Sequence, residues 1–227
     1  MRKQFQRARS DDERQERREA IERVAVGLLD EVRVHDLTLT ELARRAGLAK
    51  SNVLRYVGSR EALLLDIYDR EYRSWLEELR HELAHAEPST IESVALAIAD
   101  TLIRRPRLCE LAANAPGVLE QNVSGEVAAR YKTASIANAR TLAEIIGARL
   151  GAFSEAAGIA LVSAVNLGIG GIWAATQPSP GMAAAYASHP ELGALRLDLR
   201  IALREFVATI LTGLAHREPT LPFERRA

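Results

Sequence analysis

"LTELARRAGLAKSNVLRYV", Leu39 to Val57, decides the architecture of this 227-residue chain. Thr38, just ahead of it, stands three residues before Glu41, which is capping-box spacing, so a short helix opens there. Gly47 stops that helix, as a residue that tolerates positive φ. A second short helix then covers residues 50–57 and is broken by Gly58 and Ser59. Leu39, Leu42, Ala43, Leu48, Val53 and Val57 fall where the two helices would face each other, and Ala43 is small where they must cross closely. Lys50, Ser51, Asn52, Arg55 and Tyr56 are left facing outward.

The charges in this window follow the same layout. From Leu42 to Arg60 the chain carries Arg44, Arg45, Lys50, Arg55 and Arg60 and no acid, bounded by Glu41 and Glu61. The whole protein has 30 Lys and Arg against 30 Asp and Glu, a formal net charge of +0. A basic run alone is usually just a solvated helix face. Here it coincides with a cap, a glycine turn and inward apolar spacing, which together make a helix-turn-helix. The second helix of that motif enters the major groove with its N-terminal residues leading. Its outward donors suit base edges and phosphates. A carboxylate in the window would repel the DNA backbone, and overall neutrality is no obstacle because binding responds to the local field.

Working outward, the chain reads as all-α. Helix one is expected to start at Ser10, where Ser10 and Glu13 have capping-box spacing, with Ile21, Val24, Leu28 and Val32 as its apolar positions. Residues 1–9 are expected to be a disordered basic arm. Ser59 can cap a long fourth helix running to about Leu83, with Leu64, Tyr68, Tyr72, Trp75, Leu79 and Leu83 along one face. A break at Pro88 is followed by a fresh cap at Ser89 or Thr90. Further helices are expected near 89–104, 106–114, 124–151, 155–176 and 192–216, separated by Pro106, "NAPG" at 114–117, Gly151 and "QPSPG" at 177–181. The domains are expected at 1–84 and 85–227.

Composition is that of an ordinary soluble globular protein, 48% hydrophobic and 26% charged. A lone cysteine, Cys109, cannot form an intrachain disulfide, and the N-terminus lacks the apolar core of a signal peptide, so the cytoplasm is the expected address. Ala156 to Thr176 is uncharged and long enough for a membrane span, but it is rich in Ala and Gly and has no basic cluster at either end. Its small stripe of Ala156, Ala160, Ala164 and Gly168, beside a bulky one of Leu161, Val165, Ile169 and Trp173, instead suits a buried helix closely approached by another.

Residues 10–83 resemble the DNA-binding domain of the tetracycline-repressor (TetR/AcrR) family of bacterial transcriptional regulators. The likeness is carried by "LTLTELARRAGLAKSNVLRYVGSREALL", in Thr38, Leu42-Ala43, Ala46-Gly47-Leu48 and the Ser59 to Leu63 run. The resemblance implies that Thr38 and Thr40 cap helix two and approach DNA, with Arg44 on the same face. It implies that Lys50, Ser51 and Asn52 begin the recognition helix, that Tyr56 lies near phosphate, and that Arg60 contacts phosphate. Three residues depart from the family pattern. Ala49 replaces the usual Ser or Thr cap, a loss of about 1 kcal/mol; Leu54 replaces a frequent aromatic; Val57 replaces a common Phe.

The resemblance further implies a helical ligand-binding and dimerisation domain over 85–227. The residues themselves support association. The 155–176 helix is too apolar to face water, and Leu195, Leu199, Leu203, Phe206 and Ile210 form an apolar stripe on the last helix. Two helices from each subunit would make a four-helix interface, with Ala160, Ala164, Gly168, Leu199, Leu203, Phe206 and Ile210 in it. Candidate ligand contacts are Cys109, Asn114, Tyr131, Asn138, Thr141, Asn166 and Trp173, since a pocket needs a few polar groups in an apolar lining.

His81 and His85 have the i, i+4 spacing of metal ligands, but a solvated helix end explains them and no metal is expected. No P-loop, nucleophile elbow or HExxH occurs. The expected partners are double-stranded DNA, a second copy of the chain and a small-molecule effector, with no cofactor, no membrane and no catalysis. A regulator governed by a protein partner or by nothing, and a helical enzyme with an anionic substrate, are the alternatives.

Overall fold

The computed structural model describes residues 2–85, 88–217 and 219, with side chains from Glu13 onward. Ten α-helices follow one another without a strand among these residues. They form two compact units, Met1–Tyr68 with Asn114–Tyr131, and Asp69–Ala113 with Lys132–Ala227.

In the first unit, α1 (Arg2–Leu29), α2 (Leu39–Arg45) and α3 (Lys50–Val57) pack on one another. Helix α1 does not wait for Ser10. The run "RKQFQRAR" at 2–9 is built mostly of strong helix formers, so the helix begins at Arg2 and the expected arm belongs to it. The Ser10 side chain, half of the expected capping box, lies outside the described side chains. Ile21, Ala25 and Leu28 are buried, Val24 is half-buried, and Val32 lies beyond the helix and is exposed.

Helix α2 is capped by Thr38, whose Oγ1 accepts the Glu41 N–H at 3.2 Å. The reciprocal half of that expected box is replaced: the Glu41 carboxylate takes Arg44 and Arg45 instead. Gly47 stops α2 at φ +64, and Leu48 N–H reaches the Ala43 carbonyl at 3.0 Å while Gly47 N–H reaches Arg44 at 3.3 Å. That is a Schellman closure, which needs a residue at positive φ. Gly58, at φ +78, ends α3 in turn. Leu42, Ala43, Val53 and Val57 are buried, with Leu39 and Leu48 at the edge of this small core.

Ala49 holds extended backbone angles and offers α3 no side-chain cap. Ala49→Ser supplies an acceptor without moving the chain and is expected to raise stability by about 1 kcal/mol. A denaturant midpoint unchanged from wild type would refute it.

Helix α4 (Arg60–Ala84) is capped by Ser59, whose Oγ accepts the Ala62 N–H at 3.0 Å. All six residues of its expected stripe, Leu64, Tyr68, Tyr72, Trp75, Leu79 and Leu83, are buried. The helix belongs to both units, which part between Tyr68 and Asp69. The expected division at 84/85 marks where a helix ends; helical periodicity runs straight through the point where the units part.

The second unit holds α5 (Ile91–Ile103), most of α6 (Pro106–Asn114) and α7 (Gly125–Leu150), and all of α8 (Glu155–Ala175), α9 (Pro180–Ser188) and α10 (Leu199–His216). Thr90 and Ser93 make the full capping box of α5. At the expected "NAPG" break the chain instead makes a wide π-type turn over Ala115–Leu119, which accommodates Pro116 and its missing N–H.

The C-terminal part departs from expectation in two places. "QPSPG" is more than a break: Ser179 caps α9 by accepting the Met182 N–H, with Pro180 at the first helical position, where proline fits. The last helix begins at Leu199 rather than 192. Pro190–Leu195 forms a 3-10 turn, and Asp198 caps α10 by accepting the Ile201 N–H at 2.8 Å.

Helix α10 packs on α5 and α8. Helix α8 is the one described helix long and apolar enough to cross a membrane. Its Leu161, Val165 and Ile169 are buried inside the second unit. The expected close approach is found at two glycines. A Cβ on Gly168 would clash with the edge of the Phe206 ring, and one on Gly170 would sit 2.9 Å from the Ala112 carbonyl oxygen.

Candidate nucleic-acid interface

Helix α3 buries Val53 and Val57 and turns Lys50, Ser51, Asn52 and Arg55 to solvent, with Tyr56 half-exposed. Arg55 lies over the Tyr56 ring, 5.2 Å from its centre, and its Nη2 reaches the Tyr56 hydroxyl at 3.3 Å. This stacking orders the guanidinium without neutralising it. Neither Lys50 nor Arg55 has a carboxylate partner among the described residues. An open cleft of about 790 Å³ runs between α1 and α3, lined by Arg14, Arg17, Arg23, Arg55, Tyr56 and three glutamates of α1. Its mixed charges make it a polar groove beside α3, unlike an apolar effector pocket.

The other bases of the acid-free window have partners within the protein. Arg44 forks onto Glu41 at 2.7 and 2.8 Å. Arg45 reaches Glu41 at 3.0 Å and Glu31 at 2.6 and 2.8 Å. Hydrogen bonds from Arg44 and then Arg45 pull the Glu41 carboxyl down to about 2, so it remains a counter-charge across the physiological range. Arg60 turns inward, its Nη2 donating to the Val34 carbonyl at 2.9 Å. Thr38 acts as the α2 cap, and Thr40 is exposed on the first turn of that helix. The sequence held no signal for the Glu31–Arg45 and Arg60–Val34 contacts, because the partners stand 14 and 26 residues apart.

Several of the candidate ligand residues have hydrogen-bond partners inside their own unit. In the second unit, Asn166 Oδ1 accepts the Tyr72 hydroxyl at 2.8 Å, Asn138 donates to Asp69 at 2.8 Å, and Trp173 Nε1 donates to Glu110 at 2.7 Å. Thr141 bonds back to the Ala137 carbonyl within its own helix. Cys109 is fully buried; burial pushes its thiol up to about 12, so it is packing material and not a nucleophile. Asn114 and Tyr131 fall in the first unit, where Tyr131 stands 6.3 Å from Tyr68, ring centre to ring centre. His85 Nδ1 lies 3.0 Å from the His81 carbonyl, and no described group of three or more His, Cys, Asp or Glu could hold a metal ion.

Of the candidate dimer residues, Gly168 and Leu203 are buried within the second unit and closed to a partner. Gly168 is roofed by Phe206 of the same chain. Ala160, Ala164, Leu199, Phe206 and Ile210 are half-buried. Helix geometry adds two residues that stripe reading passes over: Leu167 is 69% exposed and Ile201 is 56% exposed, large apolar side chains facing out of α8 and α10.

Residues 69–218 match the profile of the tetracyclin repressor-like C-terminal domain. The chain belongs to the TetR family. A TetR-family fold is also what the solved structures display. The TetR family transcriptional regulator PfmR from Thermus thermophilus aligns with a TM-score of 0.51 at 18% identity, over 86% of this chain and 98% of that one. The TetR-family repressor FadR from Thermus thermophilus, in complex with lauroyl-CoA, aligns with a TM-score of 0.54 at 20% identity, over 91% and 100%. The fatty acid degradation regulator FadR from Bacillus halodurans aligns with a TM-score of 0.54 at 14% identity, over 88% and 97%. No curated protein matches the chain in sequence. The all-α, helix-turn-helix expectation therefore stands, and the chain has the fold of a DNA-binding TetR-family regulator.

Proposed function

We propose that this chain is a cytoplasmic homodimeric repressor that reads a palindromic operator through α3 and releases it on binding an apolar or weakly polar small molecule. The observation that carries the DNA reading is the row of exposed, acid-free donors on α3, Lys50, Ser51, Asn52 and Arg55, over a buried Val53–Val57 seam. Asn is well shaped to pair twice with an adenine edge. Asn52→Ala is expected to cost about 1–3 kcal/mol on a duplex enriched by the wild-type protein from a random pool, and to relax preference at one position. If Asn52→Ala binds every duplex as wild type does, that assignment fails.

Dimerisation is supported by the outward Leu167 and Ile201 beside half-buried Ala160 and Ala164, because pairing two half-sites multiplies the affinity of a small footprint. Sedimentation of wild type as a monomer at micromolar concentration would remove this part. For the effector, α4 is the continuous helix that belongs to both units, about 37 Å long at 1.5 Å per residue. It is the natural carrier of a change from the second unit to the reading helix. Lauroyl-CoA, bound by the Thermus FadR, is the first probe to try. Linkage requires enriched duplex to weaken effector binding by the factor by which effector weakens duplex binding. Equal effector affinity with and without duplex would leave a constitutive DNA-binding protein.

A further inference from the structure

Arg60 opens α4 immediately after the Gly58–Ser59 turn that ends α3. Its side chain is 22% exposed, and Nη2 donates to the carbonyl of Val34 at 2.9 Å. Nη1 stands 3.5 Å from the Glu61 carboxylate, and Nε is buried without a hydrogen-bond partner. Val34 and Leu37 are themselves buried, anchoring the loop between α1 and α2. At the other end of that loop Glu31 is gripped by both terminal nitrogens of Arg45, from α2. The loop then delivers Thr38, the cap of α2.

We infer that Arg60 is a positioning residue, tying the exit of the reading helix to the loop that enters α2, and that it does not contact phosphate. The inference rests on the DNA-binding reading of α3. Helices α2 and α3 are short, and each is set by the turns at its ends. Arg60 and Arg45 hold the loop before α2 from two sides, so the angle at which α3 is presented depends on the Arg60–Val34 bond. A phosphate could draw the Arg60 guanidinium outward only by taking its hydrogen bond from a buried carbonyl and separating it from Glu61, and both losses oppose the move. Lys50 and Arg55 face no such competition, so counterion release on DNA falls to them. A guanidinium that serves Val34 and Glu61 from two nitrogens has a fixed fork that a lysine cannot reproduce.

The test compares Arg60→Ala, Arg60→Lys and Arg55→Ala on two duplexes across a salt series. One duplex is of mixed sequence, and the other is the sequence enriched by wild type. Both Arg60 variants are expected to bind the enriched duplex roughly tenfold more weakly, as removal of a charged hydrogen bond implies. They should bind the mixed duplex as wild type does and keep the wild-type salt slope on both. Arg55→Ala should weaken both duplexes and flatten both slopes, by about 0.9 for each phosphate that is no longer neutralised. Arg60→Lys keeps the point charge, so full recovery by it, or a flattened slope in Arg60→Ala, makes Arg60 a phosphate ligand and overturns the inference. Wild-type affinity of both Arg60 variants on the enriched duplex overturns it too. Should Arg60→Ala fail to fold, Arg60→Lys carries the comparison alone. If wild type enriches no sequence, the DNA reading falls first and the inference with it.

Discussion

Replacing Trp75 by alanine is expected to remove about 3–5 kcal/mol of stability, more than any other single truncation in the second unit. Trp75 is fully buried. Its indole meets the Tyr72 ring edge-on, with centres 5.1 Å apart at 83°, and its Nε1 donates to the Thr101 hydroxyl at 2.9 Å. The cavity dominates the loss. Thr101 Oγ1 still donates to the Ala97 carbonyl at 2.8 Å, so removing the indole does not orphan a buried hydroxyl. The aromatic pair adds about 0.5–1.5 kcal/mol beyond area. Against a total of about 5–15 kcal/mol, such a loss is a large fraction of what holds a domain together. Trp173, the other tryptophan, remains to report unfolding by fluorescence alongside circular dichroism. A midpoint shift equivalent to less than about 1 kcal/mol would show that the site collapses around the gap, contrary to its packing.

Adjacent glycines in α8 are expected to respond to alanine with opposite signs. In a helix interior alanine is ordinarily better than glycine by about 0.5–1 kcal/mol. Gly171 is exposed with nothing within 4 Å of where a Cβ would stand, so Gly171→Ala should gain that amount. At Gly170 the same methyl would stand 2.9 Å from the Ala112 oxygen and 3.1 Å from Ala113 Cα. Those are backbone atoms of α6, which cannot swing aside as the Phe206 ring beside Gly168 can. Overpacking of this kind costs about 1–3 kcal/mol, enough to reverse the propensity gain, and Gly170→Leu should approach or exceed the upper figure. Equal and favourable responses at the two positions would mean that α6 and α8 do not approach as closely as their backbones indicate.

For this chain, the amino-acid sequence by itself determined the features whose cause lies within one or two turns. Thr38, Gly47, Gly58, Ser59 and Thr90 act where the sequence places their caps and turns, because a cap is satisfied by an N–H three residues away. The buried faces of α3 and α4 follow from helical period alone. So does the set of α3 side chains turned to solvent, on which the proposed DNA reading rests.

Tertiary packing settled what depends on partners distant in sequence. Five bases look equivalent between Glu41 and Glu61, yet Arg44 and Arg45 pair with Glu41 and Glu31, Arg60 serves Val34, and Lys50 and Arg55 are left exposed. Both faces of α8 are apolar, so the sequence could not rank the small stripe through Gly168 against the outward row through Leu167; Phe206 covers the first and leaves the second open. Periodicity records which residues share a face. Which neighbour covers that face is decided by chain segments tens of residues away, through contacts that leave no spacing to read.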